Sequence, residues 1–493
     1  MSKRVFVAGV VLSLTLAGCA ESPSGMDAGG GGTGSATGGG TGATGGGGGT
    51  TDAGAPGTIV EVAAANPEFS SLVAAVTKAG LASTLSDTSK EFTVFAPTNA
   101  AFASLLTAIG ASSLDDVSAE QLKPILLYHV LGAKVDATAA TAAATSNSKV
   151  DALGGKIQLS LDGSTIKLDG KASVTMADVP ASNGVIHVID QVILPSITDI
   201  ATTDARFSSL AAALTLADTA TPSPGLVAAL DDDAAAGGFT VFAPTNDAFT
   251  ALVTALKGSD NGATTGIAAL TDFRPDQVLP VLTYHVIGGA QVKAAAVTTG
   301  PADTLGGKVA LTKTGAAVKV DAANVIIADV LASNGVIHAI DGVLLPSITD
   351  VVTTDARFAS LKGAVVAADS DSSTTPKVGA ALDGAGPFTL FAPNAAAFTA
   401  LGTPPSGQAL TDVLLYHAVP GAPVYAATAL ALTSPLTATT ALTGKTLEVN
   451  AEGTPTGVTV KDSTATKANV VGTNVFTANG VIHVVDKVLI PAP

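Results

Sequence analysis

All six histidines of this chain stand in two short phrases, and each phrase occurs three times. One phrase is a tyrosine followed by a histidine, and the other is the string Asn-Gly-Val-Ile-His. A rare residue type confined to two contexts in triplicate indicates one module copied three times. Function is therefore expected in a repeated domain rather than in one unique active site. The pairs are Tyr128 with His129, Tyr284 with His285 and Tyr416 with His417, and the strings run from Asn183 to His187, from Asn334 to His338 and from Asn479 to His483.

A third motif gives the size of the module. The tripeptide Phe-Ala-Pro begins at Phe95, Phe242 and Phe391, so it recurs about every 150 residues. Solenoid repeats are shorter, with ~20–50 residues, whereas a whole domain commonly has roughly 100–150. We therefore predict three tandem domains, each with its own core. Their predicted bounds are residues 58–196, 197–347 and 348–493.

The first residues resemble a bacterial lipoprotein signal. Two basic residues precede an apolar run from Val5 to Leu16, which is shorter than the ~20 residues of a membrane-spanning helix and is typical of a secretory signal. Small residues then lead to Cys19, the only cysteine of the sequence. Residues 1–18 are predicted to be the signal peptide, and Cys19 the lipidated first residue of the mature protein. The alternative is an incidental cysteine inside a discarded signal.

Residues 19–57 are predicted to form a disordered tether. They are mostly Gly, Thr, Ser and Ala, with almost nothing to bury. Because Ala20 rather than aspartate follows Cys19, the signal resembles an outer-membrane address by analogy with Gram-negative lipoproteins. The sequence thus predicts an exported protein, anchored by lipid to the cell envelope, with its domains facing the periplasm or the exterior.

Composition limits the partners and the chemistry. The formal net charge is −16, and an acidic surface repels phosphate backbones, so no nucleic-acid partner is expected. Only 13% of the residues are charged and 47% are hydrophobic, which suits compact secreted domains with large cores. Past Cys19 the sequence has no cysteine for a disulfide or a thiol nucleophile. No cofactor is predicted.

Hydrophobic periodicity in the first copy predicts helices first and strands after. An alternating strand over residues 92–96 leads to Thr98 or Asn99, either of which can cap a helix. A further helix is predicted over residues 121–130, with Pro124 in its opening turn. This order indicates α+β domains.

The second half of each copy is predicted to be a sheet. In the first copy the strands are predicted over residues 156–161, 165–168, 174–179 and 185–194. An Asn-Gly dipeptide favours a turn immediately before the last of them. Its glycines are Gly184, Gly335 and Gly480.

The order of the motifs resembles the fasciclin domain. Thr-Val-Phe-Ala-Pro-Thr-Asn-x-Ala-Phe comes first, then Tyr-His, and then Asn-Gly-Val-Ile-His-Val-Ile-Asp. The resemblance covers nearly all of residues 58–493 as three copies. It implies that each copy is a β-sandwich or wedge with packed helices. It also implies adhesion or interaction, usually outside the cell, without catalysis as a common thread. The third copy departs at Asn394 and Ala418, which affects any ligand contact at that turn.

The Tyr-His pair has two interpretations. The resemblance implies a role in binding cell-surface receptors for this region. The residues themselves place Tyr128 and His129 between apolar neighbours at a helix end, where a phenol and an imidazole would mainly cross-link the core by hydrogen bonds. The same two interpretations apply to the pairs of the second and third copies.

The histidine of the closing strand is expected to be a buried structural residue. His187 shares its strand face with apolar residues, and its two copies do the same. Ser182 and Asp190 would complete a catalytic triad, but His187 and Asp190 alternate to opposite faces and no nucleophile elbow is present. No metal is expected, because no His-x-His or cysteine cluster supports the histidines.

Two acidic stretches invite a calcium interpretation. Asp231 to Asp233 and Asp369 to Asp371 are placed in the equivalent insertion before the Phe-Ala-Pro strand. Neither has the spaced oxygen ligands and the glycine of a dedicated calcium loop, so solvated loops are predicted.

The sequence thus predicts a lipid-anchored surface protein that presents three fasciclin-type domains to cells, matrix proteins or glycans. Three weak sites on one tether would raise the effective concentration without any tight site. One alternative is a structural spacer or envelope protein without a specific ligand. Another is a hydrolase of surface polymers, which requires Tyr128 or His187 to be essential for activity but not for stability.

Overall fold

The computed structural model describes residues 56–258, 269–452 and 457–493. The predicted signal peptide, Cys19 and the tether up to residue 55 lie outside these residues. In the first copy all the helices precede the last five strands, as predicted, and the first two strands lie between helices. Its helices are α1 (Ile59–Ala65), α2 (Ser70–Lys78), α3 (Ala82–Leu85), α4 (Asn99–Ile109), α5 (Ala119–Tyr128) and α6 (Ala137–Thr145), and its strands are β1 (Phe92–Pro97), β2 (Val130–Leu131), β3 (Lys149–Ala152), β4 (Gly155–Asp162), β5 (Thr165–Leu168), β6 (Ala172–Ala181) and β7 (Gly184–Ile189).

The second and third copies repeat this order. The helices of the second are α7 (Ile197–Thr203), α8 (Ser208–Asp218), α9 (Leu226–Leu230), α10 (Asn246–Gly258) and α11 (Pro275–Tyr284), and its strands are β8 (Phe239–Pro244), β9 (Val286–Gly288), β10 (Gly300–Thr304), β11 (Gly307–Thr314), β12 (Ala317–Val320), β13 (Ala323–Ala332) and β14 (Gly335–Ile340). The helices of the third are α12 (Ile348–Thr354), α13 (Ala359–Ser370), α14 (Val378–Leu382), α15 (Ala395–Leu401), α16 (Gln408–Tyr416) and α17 (Ala426–Leu430), and its strands are β15 (Phe388–Pro393), β16 (Ala418–Pro420), β17 (Leu436–Thr439), β18 (Thr446–Ala451), β19 (Val458–Lys461), β20 (Ala468–Thr477) and β21 (Gly480–Val485).

Two of the sequence motifs lie side by side on adjacent parallel strands in each domain. β1 pairs in parallel with β7, and this register places Phe95 opposite His187. The remaining strand pairs of the first domain are antiparallel. Its seven strands close into a barrel, and the described strands of the other domains form seven-stranded sheets of the same order. Parallel pairing needs a long crossover, and here the helices and hairpins between β1 and β7 supply it. The α+β class is confirmed.

Two predicted boundaries and one predicted position are wrong. α5 ends at Tyr128 rather than at residue 130, because Val130 is paired with β1. Pro124 lies inside α5 rather than in its opening turn. β7 ends at Ile189 rather than at residue 194, and the N–H of Ile193 donates to a histidine ring instead of to a neighbouring strand.

Alternate residues of β1 enter two different apolar clusters. Val94 and Ala96 pack with the helices α1 to α5, whereas Phe95 packs with the apolar side chains of β4 and β5. Successive strand residues point to opposite faces, so one strand serves both clusters. The second and third domains repeat the division.

The domains contact one another more closely than the prediction of independent cores suggests. The helical cluster of the second domain continues into the third through Tyr425, Phe476 and Val481. The described residues of the three domains belong to one compact unit. The first helix of the second domain also contributes Ile197 and Ile200 to that domain's core, which supports our proposal that the boundary lies at residue 197.

Across the described ranges, no single helix is both long and apolar enough to cross a bilayer. One bent pair of helical segments, Ile59–Ala65 and Pro67–Lys78, reaches that length and composition only when taken together, with a bend of 108° between them. Its apolar residues Ile59, Phe69 and Leu72 are buried in the first helical cluster.

Candidate functional site

The tyrosine of each Tyr-His pair fastens a helix to the sheet. Tyr128 at the end of α5 is buried, and its hydroxyl donates to the carbonyl of Lys156 on β4 at 3.0 Å. Tyr284 makes the same bond to the carbonyl of Lys308 at 2.7 Å, and Tyr416 makes it to the carbonyl of Thr446 at 2.7 Å. A buried phenol needs such a partner, since an unmade hydrogen bond there is costly.

In the first two domains a carboxylate lies beside this hydroxyl. Tyr128 Oη lies 3.1 Å from Asp169 Oδ2, and Tyr284 Oη lies 3.2 Å from Asp321 Oδ2. Burial, followed by the neighbouring carboxylate, raises the pKa of Tyr128 far above its usual value. Burial also raises the pKa of Asp169 to about 6, although a backbone N–H and the tyrosine hydroxyl favour its charged form.

The histidine of the pair holds the end of its helix against the chain beyond the closing strand. His129 Nδ1 donates to the carbonyl of Ile125 at 2.7 Å, and Nε2 accepts from the N–H of Ile193 at 3.2 Å. A backbone N–H can only donate, so the ring is neutral with its proton on Nδ1. His285 and His417 make the same pair of bonds. Burial lowers the pKa of all three rings to about 4.

The histidine of the closing strand has the opposite proton arrangement. His187 Nδ1 accepts from the N–H of Asp178 at 3.2 Å, and Nε2 donates to the carbonyl of Val135 at 2.8 Å. Its ring packs on Phe95 with 5.7 Å between the centroids. Equivalent bonds and ring contacts surround His338 and His483. Both nitrogens of each ring are thus occupied by backbone groups.

The Asn-Gly dipeptide before this strand is also structural in its geometry. Asn183 is 1% exposed, accepts from the N–H of Ile59 at 2.9 Å and donates to the carbonyl of Leu85 at 2.8 Å. It therefore joins the first helix of the domain to α3. A Cβ at Gly184 would lie 1.9 Å from the carbonyl oxygen of Phe92, so only glycine fits at this position. Asn334, Gly335, Asn479 and Gly480 repeat both features.

The alternative catalytic and calcium sites are not assembled by the fold. Ser182 is exposed, and Asp190 accepts from the N–H of Ser173, so neither reaches His187. Within the described part of the chain, no group of three or more His, Cys, Asp or Glu side chains is placed to hold a metal ion.

The two acidic stretches are not equivalent, contrary to the prediction. Asp231 follows α9 and accepts from Ser196 Oγ at 2.7 Å. Asp369 lies at the end of α13 and accepts from the first N–H groups of α14, as Asp218 does for α9.

Sequence reasoning missed the residues that join neighbouring domains. Gln121 in the first turn of α5 donates from Nε2 to the carbonyls of Ala328 at 2.9 Å and Asp329 at 3.1 Å in the second domain. Gln277 in α11 donates to the carbonyl of Asn474 at 2.8 Å in the third. The same amide contact therefore forms both junctions.

The carbonyls that accept from these glutamines lie at a bulge in the sixth strand of the following domain. Asp329 and Asn474 have left-handed φ values of 56° and 55° there. Their side chains accept from the N–H groups of Ala294 at 2.8 Å and Ala426 at 2.9 Å. Aspartate and asparagine tolerate this conformation better than most residues, and bulges re-aim backbone groups.

A second repeated contact comes from the first helix of each following domain. Asp199 in α7 accepts from the N–H of Lys156 at 3.1 Å, and Asp350 in α12 accepts from the N–H of Lys308 at 3.2 Å. A Cβ at Gly155 would lie 2.4 Å from the Asp199 carboxylate, so glycine allows this approach. The string Leu-Pro-Ser-Ile-Thr-Asp, repeated at residues 194–199 and 345–350, was the signal that could have revealed the contact.

A family comparison agrees with this repeated geometry. A model of the fasciclin domain matches residues 67–195, 205–346 and 370–491. The chain belongs to the fasciclin domain family. The resemblance drawn from the motifs is therefore confirmed, and so are the three fasciclin domains.

Curated relatives of this fasciclin-domain chain come from bacteria and animals. Human periostin is 27% identical over 419 residues, which cover 81% of this chain and 43% of periostin. The pig transforming growth factor-beta-induced protein ig-h3 is 30% identical over 341 residues, covering 66% of this chain and 44% of that protein. Protein sll1483 of Synechocystis is 49% identical over 139 residues, covering 28% of this chain and 73% of that protein. The chain thus spans less than half of the two animal relatives.

Among solved structures, a fasciclin domain pair from the insect cell adhesion molecule Fasciclin I aligns with 55% of this chain and 95% of its own chain. The identity is 18% and the TM-score is 0.26. Fasciclin domains are associated with cell adhesion and interaction in related proteins.

Proposed function

We propose that this chain is an adhesion or interaction protein of the cell envelope, presenting three fasciclin domains to cells, matrix proteins or glycans. The observation that carries the proposal is that three domains of one adhesion-associated family repeat the same contacts at both junctions. Repeated contacts hold neighbouring domains in a defined arrangement, so that three weak sites would act together on one target surface.

Because the histidine motifs are buried, we infer that partners bind to the outer surfaces of the domains and to the junctions between them. Both histidines of each domain are buried and hydrogen-bonded on both ring nitrogens. A partner would have to unfold the helix end at Tyr128 to reach this pair directly. We therefore interpret the Tyr-His pairs as supports of the domain rather than as contact residues.

Comparing chains of different domain number tests the proposal. Because the cores of the second and third domains are continuous, residues 58–493 should be compared with residues 197–493 in binding to whole cells and to a glycan array. We expect a loss of at least about tenfold in apparent affinity without the first domain, since avidity commonly exceeds single-site affinity by ~10²–10⁴. Equal binding by both chains, with both shown to melt cooperatively, would contradict the proposal.

We also propose that Cys19 carries the lipid and that residues 20–57 act as the tether. The support is the apolar run that leads through small residues to the only cysteine of the sequence. Expression of the full chain and of its Cys19→Ser variant in a Gram-negative host fed labelled palmitate provides the test. We expect the natural sequence, but not the variant, to incorporate the labelled palmitate and to fractionate with the membranes. Labelling of both proteins would disprove the assignment.

The repeated junctions also favour the spacer alternative. Gln121 and Gln277 would fix the spacing of neighbouring domains whether or not any domain binds a ligand. In that case, replacing one domain by an unrelated domain of equal length would leave function intact, whereas the adhesion proposal expects a loss.

A further inference from the structure

Two ion pairs between exposed side chains cross the first domain junction. Lys149 Nζ of β3 lies 3.5 Å from Asp231 Oδ2 of the second domain. Lys171 Nζ lies 3.6 Å from Asp233 Oδ2 at the same junction. Two ammonium groups of the first domain therefore face carboxylates of the second.

The second junction keeps one of these carboxylates. Asp231 accepts from Ser196 Oγ at 2.7 Å, and Asp383 accepts from Ser347 Oγ at 3.2 Å. Each serine is the N-cap of the first helix in its domain. Asp383 is therefore the counterpart of Asp231.

The lysines are absent from the counterpart positions. Lys149 pairs with Gln158 of β4, and Pro301 pairs with Ala310 of β11. Gln158 and Ala310 are equivalent, because each is the third residue after the glycine that begins its strand. Pro301 thus stands where the first domain has Lys149. Lys171 is the last residue of the turn between β5 and β6. The equivalent turn of the second domain, between β12 and β13, is one residue shorter and ends with Ala322.

An acidic cavity of about 1070 Å³ lies at the second junction. Lys308 is the one cationic residue of its lining, and its ammonium is already 3.0 Å from Asp303 Oδ1. The cavity therefore keeps an excess of carboxylates. Five aspartates line it: Asp303, Asp321, Asp341, Asp350 and Asp383.

We propose that this cavity binds a primary ammonium group, as carried by a lysine side chain or by an amino sugar. The ammonium lies beside Asp383 as Lys149 lies beside Asp231. The inference rests on the proposed interaction function and deepens it by naming the chemistry of the partner. The net charge of −16 favours a cationic partner through long-range attraction.

The arrangement of the carboxylates suits an ammonium better than a metal ion. A metal ion needs several oxygen ligands converging at about 2.0–2.6 Å, and no such group of side chains is found among the described residues. Asp321 and Asp350 each accept from a backbone N–H, that of Ala310 at 2.7 Å and that of Lys308 at 3.2 Å. An ammonium can interact with one or two such separate carboxylates, as it does at the first junction.

Calorimetric titration of the full chain at low salt tests the proposal. The probes are an N-acetylated trilysine peptide and a glucosamine trimer, each beside its fully N-acetylated, uncharged form, with calcium chloride as a third arm. We expect binding of a charged probe that weakens about fivefold in the Asp383→Asn variant, the scale of one exposed ion pair. Pro301→Lys, which introduces the lysine of the first junction, should weaken binding at least as much.

Asp231→Asn is the matched control, because Lys149 already occupies that carboxylate; it should leave the affinity unchanged. Binding of the peptide alone assigns a protein partner, and binding of the glucosamine trimer alone assigns an amino sugar. Binding of calcium alone, or equal affinity in the natural chain and in both Asp383→Asn and Pro301→Lys, overturns the proposal. Failure here leaves the comparison of domain number on cells unaffected, so the two proposals are tested separately.

Discussion

His129 and His187 carry their single proton on opposite ring nitrogens. His129 donates from Nδ1 to a helix carbonyl, whereas His187 donates from Nε2 to the carbonyl of Val135. Each ring accepts a backbone N–H on its other nitrogen. Two buried histidines of one domain thus bridge four backbone groups, and each bridge requires the neutral ring.

Replacing His129 should cost stability first. His129→Ala leaves the carbonyl of Ile125 and the N–H of Ile193 without partners in a buried place, so we expect a loss of about 2–4 kcal/mol in the free energy of unfolding of the first domain. Urea unfolding followed by circular dichroism gives the measurement. Ser182→Ala, at an exposed position of the same domain, is the control and should change stability by less than about 0.5 kcal/mol. An unchanged unfolding midpoint for His129→Ala would show that these bonds do not support the fold.

Stability should fall as the pH is lowered from 6.5 to 4. His129, His285, His417 and His483 have a folded pKa of about 4 because of burial, against an ordinary value of 6.5. Between these values the unfolded chain binds more protons, so their stabilising contribution is present above pH 6.5 and is lost as the pH falls to 4. Each ring contributes on the order of 3 kcal/mol at neutral pH.

Asp169 opposes this trend in the first domain. Its pKa is raised to about 6, so its protonated form stabilises the fold below its unfolded pKa of 3.8, and that contribution is lost as the pH rises through 6. Urea midpoints at pH 7.5 and pH 5 check the balance, and we expect the lower midpoint at pH 5. His129→Gln cannot take up a proton in this range and should lose less on acidification. A midpoint that is higher at pH 5 would refute the prediction.

Removing the side-chain amides at the two junctions should make the arrangement of the domains less rigid without unfolding the domains. Gln121→Ala and Gln277→Ala each leave backbone carbonyls of the following domain without their donor, so we expect each junction to weaken by about 1–2 kcal/mol. Small-angle X-ray scattering should show a larger radius of gyration, while the far-ultraviolet circular dichroism stays the same. Gln158→Ala is the control, because its amide contacts Asn147 within the first domain. Identical scattering of all the variants would count against the role of the amides.

Two glycine-to-alanine substitutions should have opposite effects. At Gly184 an added Cβ would lie 1.9 Å from the carbonyl oxygen of Phe92, so the parallel pairing of β1 with β7 must shift, and we expect at least about 3 kcal/mol of destabilisation. Gly363 lies within α13 with nothing within 4 Å of its Cβ position, so alanine there should stabilise by about 0.5–1 kcal/mol. Thermal melts of the full chain compare the two variants. A destabilising Gly363→Ala or a neutral Gly184→Ala would contradict the packing described above.

The sequence alone determined the copy number, the α+β class and most of the elements within a copy. Repeated phrases identify a module, and periods of 3.6 and 2 identify helices and strands, because these signals depend on neighbouring residues. The predicted ends failed where a distant partner decided them: Val130 left its helix to pair with β1, and Ile193 turned from its strand to a histidine ring.

The tertiary structure alone decided which residues join the domains and which ring nitrogen of each histidine carries the proton. Gln121 meets Ala328 across more than 200 positions of sequence, a contact that no local pattern encodes. The correspondence between Pro301 and Lys149 likewise follows from the register of their strands, because the two sequences around them share no motif. Local patterns describe what a segment can become, whereas contacts between segments depend on the packing that brings their backbones together.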